Sequence, residues 1–245
     1  MLALYFRYKS PENYYHFLIY MLSNLRHIEG YSNCTHVYFQ HALPYLMSES
    51  SYFIQILKHI FPMLHEVSSV AMKPDDALDV VYDPCPDTLE RGDPYCSEAY
   101  NFVRNLCMPF IEKSKLLDKT PKRIYVSRAR ATKRRIINER ELIEYLGKYG
   151  FHTIYLEDLG IEQMVYFYNA DIIISPHGAG LVNSIFCKKG ASTIEICSKT
   201  MTSLKHFSHI AECMELKYKR IQDVQCDDND INSDMYVPLY ELRCA

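Results

Sequence analysis

The feature that most constrains this chain is its alternation of short β-branched runs with segments of helical period. From residue 123 the runs RIYVS (123–127), FHTIYLE (151–157), DIIIS (171–175), STIEIC (192–197) and KYKRI (217–221) read as strands. Between them lie NERELIEYLGKYG (138–150), IEQMVYFYNA (161–170), AGLVNSIF (179–186) and SLKHFSHIAECM (203–214), which read as helices. Strands separated by one helix each form parallel sheets covered on both faces. Asn138 stands where an N-cap belongs, and Gly150 where a helix would stop.

The first half repeats the pattern less cleanly. LALYF (2–6), THVYF (35–39), EVSSVA (66–71) and LDVVY (78–82) are strand candidates. NYYHFLIYMLSNLRHI (13–28) carries apolar residues at 14, 17, 18, 21, 22, 25 and 28, which is helical spacing. SYFIQILKHIF (51–61) and CSEAYNFVRNLCMPFIEK (96–113) are further helices. The charged stretch KSKLLDKTPKR (113–123) has no apolar face and reads as the join. The expectation is α/β architecture in two facing halves: a domain over 1–118, a second over 119–225, and a tail over 226–245 packing back on the first.

Composition excludes several classes. The chain has 245 residues, 48% hydrophobic and 23% charged, and a net charge of −3. That is globular and gives no bulk attraction to nucleic acid or anionic membrane. No window of 18 apolar residues exists to span a bilayer. Nine scattered cysteines without a C-x-x-C pair argue against a zinc ribbon and for reduced thiols. MLALYFRYKSPEN is not a signal peptide. A cytoplasmic location is therefore expected, or a lumenal one if the chain is a trimmed piece. The N-C-T sequon at 33–35 then reads as chance.

Three places carry chemistry. SPHGAGLVN (175–183) follows a strand, where open α/β sheets hold ligands. Gly178 and Gly180 allow close backbone approach, the N–H groups of the next helix favour an anion, and His177 can donate to a phosphate. A plain tight turn is the competing reading. VSRARATKRRIINE (126–139) holds Arg128, Arg130, Lys133, Arg134 and Arg135. Arg130 and Lys133 read as a solvated face. Arg128, directly at a strand end, suits bidentate phosphate binding. Glu195, a carboxylate in an apolar strand, needs a partner: Arg123, Lys205, or the hydroxyls of a ribose.

These segments resemble glycosyltransferase family 61. The similar motifs are IYVSR (124–128), RRIINERELIEYLGKYGF (134–151), LEDLGIEQMVYFYNADIIISPHGAGLVNSIF (156–186) and STIEI (192–196), with NYYHFL (13–18) similar to an Asn-x-x-His helix start. The resemblance implies two Rossmann-like halves facing a cleft in a small version of the GT-B type. It implies transfer of a sugar, with inversion, from a nucleotide sugar such as UDP-xylose, UDP-N-acetylglucosamine or a pentose donor. The acceptor would be a hydroxyl of a glycan or glycoprotein, with no obligatory metal and no cofactor beyond the donor. By that mapping Ser127 and Arg128 grip the diphosphate with Arg134 nearby, Asn138 and Glu139 brace the loop, His177, Gly178, Ala179 and Gly180 cap the phosphates, and Asn183 and Glu195 hold turn and ribose.

One departure bears on catalysis. Many relatives have an acidic residue four positions past the Asn-x-x-His histidine, where this chain has Tyr20. His16 then becomes the leading base, with Asp83, Asp93 and Glu98 as alternatives, and a nucleotide-sugar-binding protein without catalysis is the competing function. An epimerase or dehydrogenase would need a dinucleotide fingerprint, which is absent. The acidic run DDNDINSD (227–234) reads as solvated rather than as a metal-binding D-x-D.

Overall fold

The computed structural model describes residues 2–6, 13–40, 42–80, 94–201, 203–227 and 229–242. It divides into two units, Met1–Lys113 and Ser114–Ala245.

In the second unit, isoleucine-rich runs form a parallel sheet. Its strands are β5 (Arg123–Val126), β6 (His152–Ile154), β7 (Ile172–Pro176), β8 (Ser192–Ile196) and β9 (Lys217–Ile221), in the order β6-β5-β7-β8-β9. Period-2 alternation sends Tyr125, Ile174, Ile194 and Ile196 to one face and Ile124, Val126 and Ile173 to the other, and all are buried. Each such side chain contributes about 1.5–3 kcal/mol. Helix α3 (Glu139–Gly147) covers the first face through Leu142 and Leu146, and α4 (Gln163–Asn169) covers the second through Phe167. Gly150, after α3, takes a left-handed φ of 77°. Helix α5 (His206–Cys213) leads into β9.

The tail does not pack as the sequence suggests. Met235, Val237 and Leu242 enter the core beneath α3, Met235 bridges Ile136, and Tyr236 bridges Gln225. Its apolar residues bury on the sheet face that α3 leaves open, so the tail completes the second unit.

The first unit holds β1 (Leu2–Phe6), β2 (Cys34–Gln40), β3 (Glu66–Val70) and β4 (Ala77–Val80), parallel in the order β3-β2-β1-β4. Helices α1 (Tyr52–Ile60) and α2 (Pro94–Lys113) belong to it. Ser51 caps α1 by accepting from the Ile54 N–H at 3.2 Å.

Two expected α-helices are wound differently, for a common reason. The 13–28 segment is a π-turn over His16–Met21 followed by a 3₁₀ stretch over Leu22–His27. Five consecutive residues, Phe17 to Met21, are buried there, which no 3.6-residue stripe achieves. Ser23 and Asn24 also donate from their side chains to the carbonyls of Ile19 and Tyr20, at 2.5 and 2.7 Å, competing with the helical ladder. Likewise Ala179–Phe186 is 3₁₀, with Leu181 to Phe186 all buried and Asn183 Nδ2 donating to Gly180 C=O at 3.0 Å.

Candidate functional site

In the second unit the chain order of neighbouring strands reverses between β5 and β7. Connections leave that point in opposite directions, and sheets of this kind hold ligands in the crevice beyond the strand ends at such a point. Arg128 lies just past β5 and His177–Gly178 just past β7. The two loops meet. A β-carbon on Gly178 would collide with Arg128 Nη1 and lie 3.1 Å from Cζ, so the guanidinium rests on the glycine backbone. Gly178 has φ 173° and ψ 164°, extended geometry open to any residue. Its missing side chain serves the arginine, not a turn.

The 127–138 loop sorts its cations into two groups. Arg130 pairs with Asp158 and lies 4.6 Å over the Tyr155 ring. Arg135 grips Asp234 Oδ2 with Nε at 3.0 Å and Nη2 at 2.7 Å, and its N–H donates to Oδ1 at 2.8 Å. Both are exposed. Arg128 and Arg134 are half-buried, and no ion pair forms on either among the described residues. Arg128 Nη2 donates to Lys133 C=O at 3.2 Å, while the Nε atoms of both arginines are buried without a partner. Burial, with the Arg134 charge second, pushes Arg128 down to about 10, and burial lowers Arg134 as well. Arg134 also holds a left-handed φ of 58°, uncommon for a residue with a side chain. Two partly desolvated guanidiniums without a carboxylate partner are suited to an anion.

Backbone and carboxylate bonds fix this loop. Glu139 Oε1, in the first turn of α3, accepts from Tyr125 Oη at 2.8 Å, Ser127 Oγ at 2.9 Å and the Arg128 N–H at 3.4 Å. From the other side the tail holds it. Arg134 N–H donates to Asn232 C=O, Ile137 N–H to Met235 C=O, and Met235 N–H to Arg135 C=O. Asn138 exchanges two 2.9 Å bonds with the Val237 backbone.

Across the crevice His177 is buried, and its Nδ1 bonds Glu195 Oε1. Glu195 Oε2 accepts from Tyr218 Oη and from Arg220 Nε, the latter at 3.0 Å. Burial alone would raise the Glu195 carboxyl. His177, Tyr218 and Arg220 outweigh it and hold the group below its usual range. The following 3₁₀ segment makes its first bond from Leu181 N–H to Gly178 C=O at 3.0 Å. The N–H groups of Ala179 and Gly180 precede it at the open end of the turn.

The sequence expectations fare unevenly. Arg128, Arg134, His177, Gly178, Ala179 and Gly180 gather at or beside the crevice. Glu139 braces the loop as expected. Asn138 sits before α3 but makes no cap bond, because its amide is committed to Val237. Asn183 secures the turn, donating to Gln163 Oε1 at 2.8 Å as well as to Gly180. The Ser127 hydroxyl donates to Glu139 at 2.9 Å and accepts the Ala129 N–H at 3.1 Å, bonds that hold the loop. Glu195 is corrected. It is 0% exposed with both oxygens engaged, so it cannot reach a ribose, and its cation is Arg220 rather than Arg123 or Lys205. Gly180 serves packing, since a β-carbon there would collide with Leu156 Cδ1. His16 lies in the first unit, its ring stacked on Tyr20 with centroids 5.0 Å apart, and Asn13 Oδ1 accepts its N–H at 3.3 Å. Glu98 is exposed on α2, and Asp83 and Asp93 fall outside the described residues.

Sequence reading missed Tyr218, Arg220 and Asp234. KYKRI did hold a signal: register pairs Glu195 with Arg220, which places them on one face. Among the described residues no helix is long and apolar enough to cross a membrane.

Comparison with known proteins shows the family. No curated protein matches the chain. A family model described as Glycosyltransferase 61 matches residues 14–194, about three quarters of the sequence, from the His16 turn through the crevice to β8. The chain therefore belongs to glycosyltransferase family 61, and its activity is transfer of a sugar from a donor to an acceptor.

Proposed function

We propose that the protein is an inverting, metal-independent transferase of the GT-B type that moves a sugar from a uridine diphosphate sugar to a hydroxyl of a glycan or protein. The second unit would hold the donor. Arg128, Arg134, His177 and the N–H groups of Ala179 and Gly180 would bind its diphosphate. Acceptor recognition and the base fall to the first unit. Neutral His16 takes the proton of the acceptor hydroxyl, as an imidazole can near pH 7. The oxygen attacks the anomeric carbon from the face opposite the nucleotide, and the bond from that carbon to the diphosphate oxygen breaks. Charge growing on the departing diphosphate is stabilised by the guanidiniums and N–H groups.

The observation that carries this reading is the pair of half-buried arginines whose Nε atoms have no partner, at the point where strand order reverses, with one guanidinium seated on Gly178. The two arginines also offer positive charge that would otherwise fall to a metal. Tyr20, standing where many relatives carry an acid, favours one alternative: a protein that binds nucleotide sugar without transferring it.

Saturation-transfer NMR against UDP-xylose, UDP-N-acetylglucosamine, UDP-galactose and GDP-sugars, followed by transfer assays on an acceptor panel, tests both. Binding with turnover supports the enzyme, and binding without turnover supports the alternative. Failure of every nucleotide sugar to bind removes the donor-site reading.

A further inference from the structure

Three neighbouring strands contribute to one buried network, and all of it but His177 lies beyond the region the family model matches. His177 follows β7, Glu195 is on β8, and Tyr218 and Arg220 are on β9. The match ends at residue 194. Glu195 has no exposed surface, and removing such a carboxylate from water costs several kcal/mol unless its oxygens are fully engaged. Arg220 faces it directly in the sheet register, and Tyr218, two residues earlier on β9, reaches the same oxygen. Arg220 is itself anchored, with Nε also donating to Tyr218 Oη at 3.0 Å and Nη2 to Leu204 C=O at 2.5 Å.

A structural ion pair would need only Glu195 and Arg220. The network instead reserves Oε1 for His177 and gathers both β9 donors on Oε2. A carboxylate only accepts, so Nδ1 of His177 carries the proton. Nε2, across the ring, is left for a ligand. Phe207 packs against the ring edge-on, with centroids 5.1 Å apart and planes at 62°, so the imidazole is held in both tautomer and orientation. It is followed by Gly178, on which Arg128 rests.

We propose that Tyr218 and Arg220 are positioning residues for sugar transfer, acting through Glu195 to fix Nδ1–H of His177 and aim Nε2–H at the donor diphosphate. The proposal rests on the donor-site reading above. It assigns roles to residues on the last strand that make no contact with substrate. Partners that orient a functional histidine affect affinity or activity by about 10- to 100-fold in comparable sites around metals.

The test is long-range ¹H–¹⁵N NMR of the His177 ring together with titration of uridine diphosphate and transfer kinetics. Wild type should show His177 in the Nδ1–H form, with Nε2 also protonated once uridine diphosphate is bound. Glu195→Met with Arg220→Met removes both buried charges, a replacement that proteins often tolerate. This double variant should remain folded, lose the Nδ1–H form, and bind uridine diphosphate about tenfold more weakly. Tyr218→Phe removes one hydroxyl and serves if the double variant does not fold. It should lower kcat/KM for the donor by about threefold or more, with the melting temperature little changed.

A double variant with wild-type tautomer, affinity and turnover overturns the proposal alone and leaves a purely structural ion pair. So does a Tyr218→Phe protein that loses melting temperature but keeps kcat/KM. Wild-type turnover in Arg128→Ala would instead sink the donor-site reading, and this proposal with it.

Discussion

The inner and outer sides of one loop, residues 127–138, treat arginine in opposite ways. On the outer side Arg130 and Arg135 lie in water, each paired with an aspartate. On the inner side Arg128 and Arg134 are half-buried, depressed by desolvation, and have buried Nε atoms without partners. Exposed pairs contribute little to stability. Burying a guanidinium without a counter-ion is unfavourable, and a fold sustains it only by over-determining the loop. Here Glu139 fixes the loop from α3, and the tail fixes it from the other side. The difference teaches that in a run of cations the informative ones are those left without a carboxylate.

The harshest way to break that comparison is Arg128→Ala. Turnover should fall by roughly 10²- to 10³-fold, as when a donor to developing charge is lost, while thermal melts show an intact fold. Wild-type transfer by this variant would show that the inner side is as incidental as the outer.

Gly178→Ala comes next. Its extended backbone accepts alanine, so the clash falls on the mobile end of Arg128. Steady-state kinetics should show kcat/KM lowered by about 10- to 100-fold, the effect of misplacing a binding group by an ångström. In an Arg128→Ala background the same change should add little, because the colliding group is gone. Additive losses would place the effect elsewhere.

Asp234→Asn sharpens the comparison from the tail. Arg135 loses its counter-ion but keeps an oxygen partner, so donor affinity should fall by only a few-fold in calorimetry. The side-chain and backbone bonds from Arg135 hold the Asp234 carboxyl below its ordinary range. Its clamp is therefore complete above the unfolded carboxylate pKa of about 4 and is lost as pH falls through the lower folded value. A wild-type melt across pH 2–6 should show a component in that window that Asp234→Asn lacks. Smallest of all, Arg130→Ala should leave kcat/KM within about twofold. A large loss there would erase the distinction between the two sides.

Much of this site was legible in residue order. Arg128 and His177 each follow a β-branched run, so a parallel sheet had to place both at strand ends, and the motifs around them carried the family. Gly178 was read as a place where a phosphate comes close, and the group that lies against it in the structure is Arg128. Three things escaped. Glu195 pointed to a partner, but Arg220 is 25 positions away and meets it only because β9 lies beside β8. Asp234, within an acidic run that read as solvated, became a clamp because the tail returns to pair with the segment before α3. The π-turn at His16 and the 3₁₀ turn after Gly180 escaped because burial of consecutive residues overrode helical period.

What the sequence alone determined is the alternation of strand and helix, hence parallel sheets, because side-chain period and chain reach are local properties. Which arginines stay without a carboxylate, which cation neutralises Glu195 and where the tail lies were decided only by tertiary structure. Burial and pairing depend on neighbours distant in sequence, and desolvation sets apart guanidiniums that are chemically identical along the chain.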